Sequence, residues 1–136
     1  MSRENVELVR KHLEAFERGD FDAVFAVYDP GIEWVAPRFA PGIDLDPVYV
    51  GHEGVRTFFR RWYEAWERVS FDYEEYIGNG DKVVSVLSQK VKGRMSGVEL
   101  EFRSYGIVWT LRAGIITRAE FTRTRGEALE AVGLSE

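Results

Sequence analysis

The side chains whose types and placement could do chemistry in this chain carry imidazole, phenol, carboxylate or guanidinium groups. Cysteine is absent, which removes thiolate nucleophiles, thiolate metal sites and disulfides. His12 lies three residues after Val9 and four before Phe16, on the flank of an apolar helical stripe. An imidazole at a pocket edge can donate a hydrogen bond to a ligand carbonyl, or act as general acid or base near neutral pH. The plainer alternative is a half-exposed helix residue, or a buried one bonded to a neighbour. Left unsatisfied in a core, it would cost about 1–3 kcal/mol. His52, beside Glu53, reads as an exposed residue at a helix start. Two histidines forty residues apart with no carboxylate motif do not make a ligand spacing, so no metal is expected.

Five further residues bear on the question. Asp44 and Asp46 sit in a Pro-rich stretch, where they either approach a substrate or shape turns through their own backbone. Arg103 and Tyr105 share a strand face unless a bulge intervenes, and together they suit an oxygen or carboxylate of a ligand. Arg123 ends an inward series Ile115, Thr117, Ala119 and Phe121. A charge in that place needs a carboxylate, water at a cavity mouth, or an anionic ligand.

These side chains must be positioned by the stretch 98–121, VELEFRSYGIVWTLRAGIITRAEF. It reads as two strands joined by a three-residue loop, Arg112-Ala113-Gly114. The first strand is about twice the usual five or six residues. Its apolar positions also change parity, from Leu100 and Phe102 to Ile107, Trp109 and Leu111. Either a bulge near Gly106 restores one apolar face, or both faces are covered. Both options imply a long curved sheet, the wall of a pocket.

Upstream, Ser2 as N-cap opens a helix over 3–18, closed by Gly19, with the stripe Val6, Val9, Leu13 and Phe16. Asp20 caps a short helix whose inward face is Phe21, Val24, Phe25 and Tyr28, ended by Asp29-Pro30-Gly31. Residues 32–36 form a strand, and 37–51 a long loop of the kind that serves as a lid. Helical spacing of Val55, Phe58, Phe59, Trp62, Trp66 and Val69 predicts a helix over 53–69. Strands follow over 71–77 and 82–92, joined by Gly78-Asn79-Gly80-Asp81. Thr124 and Glu127 form a capping box for a last short helix that Gly133 ends. The fold class is α+β, with helices segregated onto one face of a mostly antiparallel sheet.

A length of 136 residues suits a single domain spanning 1–136. Four Trp, six Tyr and nine Phe supply bulky lining for a core or a cavity. A net charge of −5, with basic residues interspersed among acids, argues against a nucleic-acid partner. The charged first twenty residues lack the apolar core of a signal peptide, and no run approaches a membrane span. A cytoplasmic protein with no membrane partner is the expectation.

Residues 4–37 (ENVELVRKHLEAFERGDFDAVFAVYDPGIEWVAP), 48–62 (VYVGHEGVRTFFRRW), 107–121 (IVWTLRAGIITRAEF) and 124–134 (TRGEALEAVGL) resemble the SnoaL-like proteins, within the nuclear transport factor two-like superfamily. The resemblance implies a cone, a cystatin-like roll whose curved sheet wraps the N-terminal helices and leaves an apolar pocket. It also implies a homodimer through the convex face. Polyketide cyclases, ketosteroid isomerases, epoxide hydrolases, dehydratases and proteins without known activity share this scaffold, so the function has to be argued from the site. Where the isomerases carry a general-base carboxylate before a proline, this chain has Ala36 before Pro37. Their oxyanion-stabilising acid, a His or Gln in many SnoaL-like proteins, corresponds to Ile107. A further acidic position of the cyclases corresponds to Arg123. His12 falls where the isomerases carry an oxyanion-donating Tyr.

The sequence thus points to a small-molecule pocket protein holding or transforming a mid-sized apolar carbonyl or hydroxyl compound without a cofactor. Isomerisation, cyclisation or hydration would use His12 as acid, base or oxyanion donor, with Tyr105 and Arg123 orienting oxygens. Trp34, Phe58, Trp62, Ile107, Trp109 and Phe121 would line the pocket, although core packing alone also explains buried aromatics. The alternative is a non-catalytic ligand-binding or dimeric interaction module.

Overall fold

The computed structural model describes residues 2–39 and 43–135; residues 40–42, inside the expected long loop, lie outside the described part. Helix α1 (Ser2–Glu17) buries Val9, His12, Leu13 and Ala15, and Ser2 is its first helical residue rather than its cap. It ends where the Asp20 N–H returns to the Ala15 carbonyl at 2.9 Å, beside left-handed Gly19. Asp20 then caps α2 (Phe21–Ala26) by accepting the Ala23 N–H at 3.2 Å. Of the expected inward face, Val24 and Phe25 are buried, whereas Phe21 is 43% exposed. Tyr28 is buried but opens strand β1 (Tyr28–Val35), which takes in Asp29-Pro30-Gly31 and so starts four residues early.

The remaining order is β2 (Val48–Val50), α3 (Gly51–Ala65), β3 (Trp66–Asn79), β4 (Lys82–Gly93), β5 (Glu99–Arg112), β6 (Ile115–Thr122) and α4 (Arg125–Ala131). The strands make one curved, unclosed sheet in the order β2-β1-β6-β5-β4-β3. Every neighbouring pair is antiparallel except β1–β6. The inner face carries the main core beneath α1, α2 and α3. The outer face carries a second cluster, Val84, Val86 and Val108 under Ala128 and Val132 of α4. Helices therefore lie on both faces, and the expected segregation onto one face does not hold for α4.

The parity change in β5 resolves as a bulge, two residues before Gly106. Phe102 pairs with Gln89 and Tyr105 with Leu87, so β5 advances three residues while β4 advances two. Ser104 absorbs the excess in the left-handed region at φ +49°. Its N–H donates to Ser88 Oγ at 2.9 Å, and both hydroxyls donate to the Glu74 carboxylate at 2.7 and 2.9 Å. Leu100 and Phe102 then share the inner face with Tyr105, Ile107, Trp109 and Leu111. Arg103 and Tyr105 are separated by the same event: Arg103 is exposed and Tyr105 is buried. Gly106 serves the opposite face. A Cβ there would stand 2.6 Å from Ala128 Cβ and 2.7 Å from Thr122 Oγ1, so its lack of a side chain is what lets α4 dock.

A second bulge corrects the β6 series. Thr110 pairs with Arg118 but Leu111 with Ile116, which skips Thr117. The inward residues are Ile116, Ala119 and Phe121. Ile115 and Thr117 are displaced, and Arg123 lies beyond the strand end, exposed, its backbone N–H donating to Glu127. Helix α3 also ends early. Trp66 and Val69 continue its apolar period but belong to β3, paired with Gly93 and Val91. Arg94, arriving from β4, satisfies the freed helix-end carbonyls: its N–H reaches Ala65 at 3.1 Å and its guanidinium reaches Glu64 and Trp66 at 3.2 and 2.9 Å.

The last hairpin turn has two residues instead of three, because Arg112 pairs with Ile115 inside the ladder. Ala113 and Gly114 both have positive φ, +51° and +78°, as a type I′ turn demands. An L-residue with a Cβ is strained there, so Ala113→Gly is expected to raise stability by about 0.5–1 kcal/mol. An unchanged or lowered urea midpoint would refute that strain.

Candidate functional site

Between the inner sheet face and helices α1 and α3 lies a small hollow of about 60 Å³. Of the sequence-predicted residues, His12, Tyr105, Trp34, Phe58, Trp62, Ile107, Trp109 and Phe121 all line it. Arg123 does not, because β6 ends at Thr122 and leaves it exposed beyond the strand. Asp44 and Asp46 are exposed and absent from the lining; Asp46 instead pairs with Arg61 at 3.0 Å. His52 is half-buried and bonds to the Tyr28 carbonyl at 2.9 Å. The described lining contains no carboxylate and no Lys or Arg.

The bulged sheet brings the rings together. Trp109 meets His12 edge-on at 4.7 Å between centroids and Trp34 at 5.8 Å. Trp34 and Tyr105 both pack on Phe121, at 5.6 and 6.2 Å. Half-buried Phe39, Tyr63, Phe71 and Tyr73 complete the wall.

His12 is fully engaged by protein. Its Nδ1 is 2.8 Å from the Val9 carbonyl, which can only accept, so Nδ1 carries the proton. Burial disfavours the imidazolium and lowers the pKa to about 4, against a smaller opposing effect of the Val9 hydrogen bond. In the neutral ring Nε2 is then an acceptor, and the Tyr28 hydroxyl donates to it at 3.0 Å. Burial likewise pushes the Tyr28 phenol up. A ring held neutral with both nitrogens occupied is a poor proton shuttle at neutral pH.

The other polar end of the hollow is Gln89, which sequence reading missed. Trp62 Nε1 donates to Gln89 Oε1 at 2.7 Å, and Gln89 Nε2 donates to Tyr105 Oη at 2.9 Å. Strand β4 is apolar on both faces, with Val83, Leu87 and Val91 inward and Val84 and Val86 outward. Gln89 nevertheless shares the parity of Leu87 and Val91, between Ser88 and Lys90, so alternation was the signal that could have placed it inward. Burial also raises the Tyr105 pKa, partly offset by the Gln89 bond. One further donor, Trp34 Nε1, is buried with no partner among the described residues.

A bulged, half-open sheet folded over three helices, with an aromatic hollow and one buried amide–phenol pair, defines the cone-shaped class expected above. The chain belongs to the SnoaL-like domain family, which residues 9–119 match. It is similar in structure to an NTF2-like protein of unknown function from Burkholderia pseudomallei, at 24% identity and a TM-score of 0.79, covering 98% of this chain and 99% of that one. An NTF2-like protein from Burkholderia thailandensis is similar at 29% identity and a TM-score of 0.76, covering 89% of each chain. TerC, co-crystallised with polyporic acid, is similar at 23% identity and a TM-score of 0.76, covering 95% of this chain and 97% of that one. Among curated proteins, none matches the sequence. No helix among the described residues is long and apolar enough to cross a membrane.

Proposed function

We propose that the protein binds a small, flat, apolar molecule in the aromatic hollow, and that it does so without acid–base chemistry from His12. The observation that carries this reading is the composition of the described lining: mostly aromatic and aliphatic, free of carboxylate, Lys and Arg, with His12 held neutral and the Gln89 amide beside the buried Tyr105 phenol at one end. His12 supports the fold in this reading, since both its nitrogens are taken by Val9 and Tyr28. The likeness to TerC, co-crystallised with polyporic acid, supports an aromatic, oxygen-bearing occupant.

Size limits the occupant. The hollow, at about 60 Å³, is well below the roughly 300–1,000 Å³ of sites for drug-sized ligands. An engineered cavity of about 150 Å³ is known to take benzene. A one-ring compound therefore enters only if the half-buried rim rings shift, and the mid-sized occupant expected from the sequence needs more. A homodimer and a cytoplasmic setting are parts of the same proposal; sedimentation reads the first directly.

The test is thermal unfolding and calorimetric titration with ethylbenzene and acetophenone. A ligand at one hundred times its Kd stabilises by about 2.7 kcal/mol, which a melting curve resolves. Ile107→Phe, which places a ring inside the hollow, is expected to abolish the response. No response in the wild type, or an equal one in Ile107→Phe, would leave the non-catalytic interaction module as the better reading.

A further inference from the structure

We infer that Gln89 makes the hollow selective for a carbonyl oxygen over a hydroxyl group, by fixing the direction in which the Tyr105 proton points. The inference rests on the binding reading above and narrows its ligand to aryl carbonyl compounds.

The argument begins at Trp62. An indole N–H only donates, so the atom 2.7 Å from Trp62 Nε1 must be the amide oxygen of Gln89. That settles the amide orientation, which leaves Gln89 Nε2–H facing Tyr105 Oη at 2.9 Å. The phenol oxygen is thereby obliged to accept. Its own hydrogen is directed away from Gln89, and Tyr105 is 3% exposed, so bulk water does not receive it. Each bond in the sequence Trp62, Gln89, Tyr105 points the same way, and such chains strengthen along their length. Tyr105 lines the hollow, and its hydroxyl hydrogen is the last donor of the chain.

Trp34 adds a donor of the same kind. Its buried Nε1–H has no partner among the described residues, and Trp34 packs on the same Phe121 ring as Tyr105. A ligand with a bare acceptor satisfies groups of this type. A ligand hydroxyl can accept from Tyr105, but its own proton then needs an acceptor. Gln89 Oε1 already receives Trp62, and the phenols Tyr63 and Tyr73 stand in the half-buried wall. A buried donor left unsatisfied is costly. Pockets built this way discriminate more sharply than pockets of size alone. Gln89 is a positioning residue here: it acts through Tyr105.

Three near-isosteric probes separate the possibilities: acetophenone, with an acceptor only; 1-phenylethanol, with a donor as well; and ethylbenzene, with neither. Titration of the whole chain is expected to show acetophenone bound roughly tenfold or more tightly than 1-phenylethanol. Tyr105→Phe should bring the two within about twofold of each other, whatever it does to ethylbenzene affinity. Gln89→Met, of similar length without the amide, frees the phenol to rotate and should shrink the preference in the same way. A merely structural Gln89 would change stability and all three affinities together and leave their ratio intact. Ethylbenzene binding with no carbonyl preference in the wild type, or a preference that survives Tyr105→Phe, overturns this inference alone. If Gln89→Met does not fold, the wild-type ratio and Tyr105→Phe still decide. Failure of ethylbenzene and acetophenone alike to bind overturns the binding reading, and this one with it.

Discussion

Trp109→Ala is expected to lower the unfolding free energy by about 3–5 kcal/mol. That is a large share of the roughly 5–15 kcal/mol that holds a typical domain together. Trp109 is 1% exposed and stands on β5, flanked by β4 and β6, where collapse around a deleted side chain is hardest. Its ring contacts His12 and Trp34 edge-on, and its indole N–H donates to Ser85 Oγ at 2.9 Å. Ser85 is fully buried, so the truncation also strands a hydroxyl among apolar neighbours. Trp109→Phe should recover most of the packing but not that bond, giving an intermediate loss. Urea midpoints order the three proteins. A loss below about 1 kcal/mol for the alanine variant would mean that this centre is not packed as described.

Acid should destabilise the protein through His12, by about 3 kcal/mol over the window from pH 6.5 to 4. Above that window the imidazole is neutral in both folded and unfolded chains, and it adds no slope. Below pH 6.5 the unfolded chain takes up a proton that the folded ring refuses until about pH 4. The stability conferred by the depressed pKa is therefore complete above the unfolded value and is lost as pH falls toward the folded one. His12→Gln keeps a polar side chain near Tyr28 but has nothing to titrate, so its stability should be flatter across this range. Denaturant midpoints collected every half unit of pH read the difference. Parallel profiles for the two proteins would show that His12 is not buried in neutral form. A folded His12 titrating near its ordinary value would also reopen the acid–base role considered from the sequence.

Much of the architecture was legible because it is written in local periods and caps. The Val9–Leu13 stripe, the Asp20 cap, the Gly80 turn and the Thr124–Glu127 box each involve residues within a few positions of one another. The burial of large aromatics was legible too: Trp34, Phe58, Trp62 and Trp109 are buried, although Phe16, Phe39, Phe59 and Phe71 face the same hollow and were not picked out as its wall. The misreadings share a cause. Trp66 continues the helical period of α3, yet the helix stops because Arg94, distant in the chain, satisfies its last carbonyls. Arg123 continues the β6 alternation on paper, yet β6 ends at Thr122 and leaves it exposed, while a one-residue bulge at Thr117 replaces Ile115 and Thr117 by Ile116 in the inward set.

By itself, then, the amino-acid sequence determined where most helices and strands lie, β2 and the bounds of β1 and α3 excepted, and which large side chains must leave water. It also determined that cysteine chemistry is impossible. Only the tertiary structure decided where β5 bulges, that Gly106 exists to seat α4, that Gln89 joins Trp62 to Tyr105, and that His12 is held neutral between Val9 and Tyr28. The physical reason is range. Propensity and capping depend on neighbours along the chain, whereas bulge position, proton location and burial depend on groups that meet only after the sheet has closed over the helices.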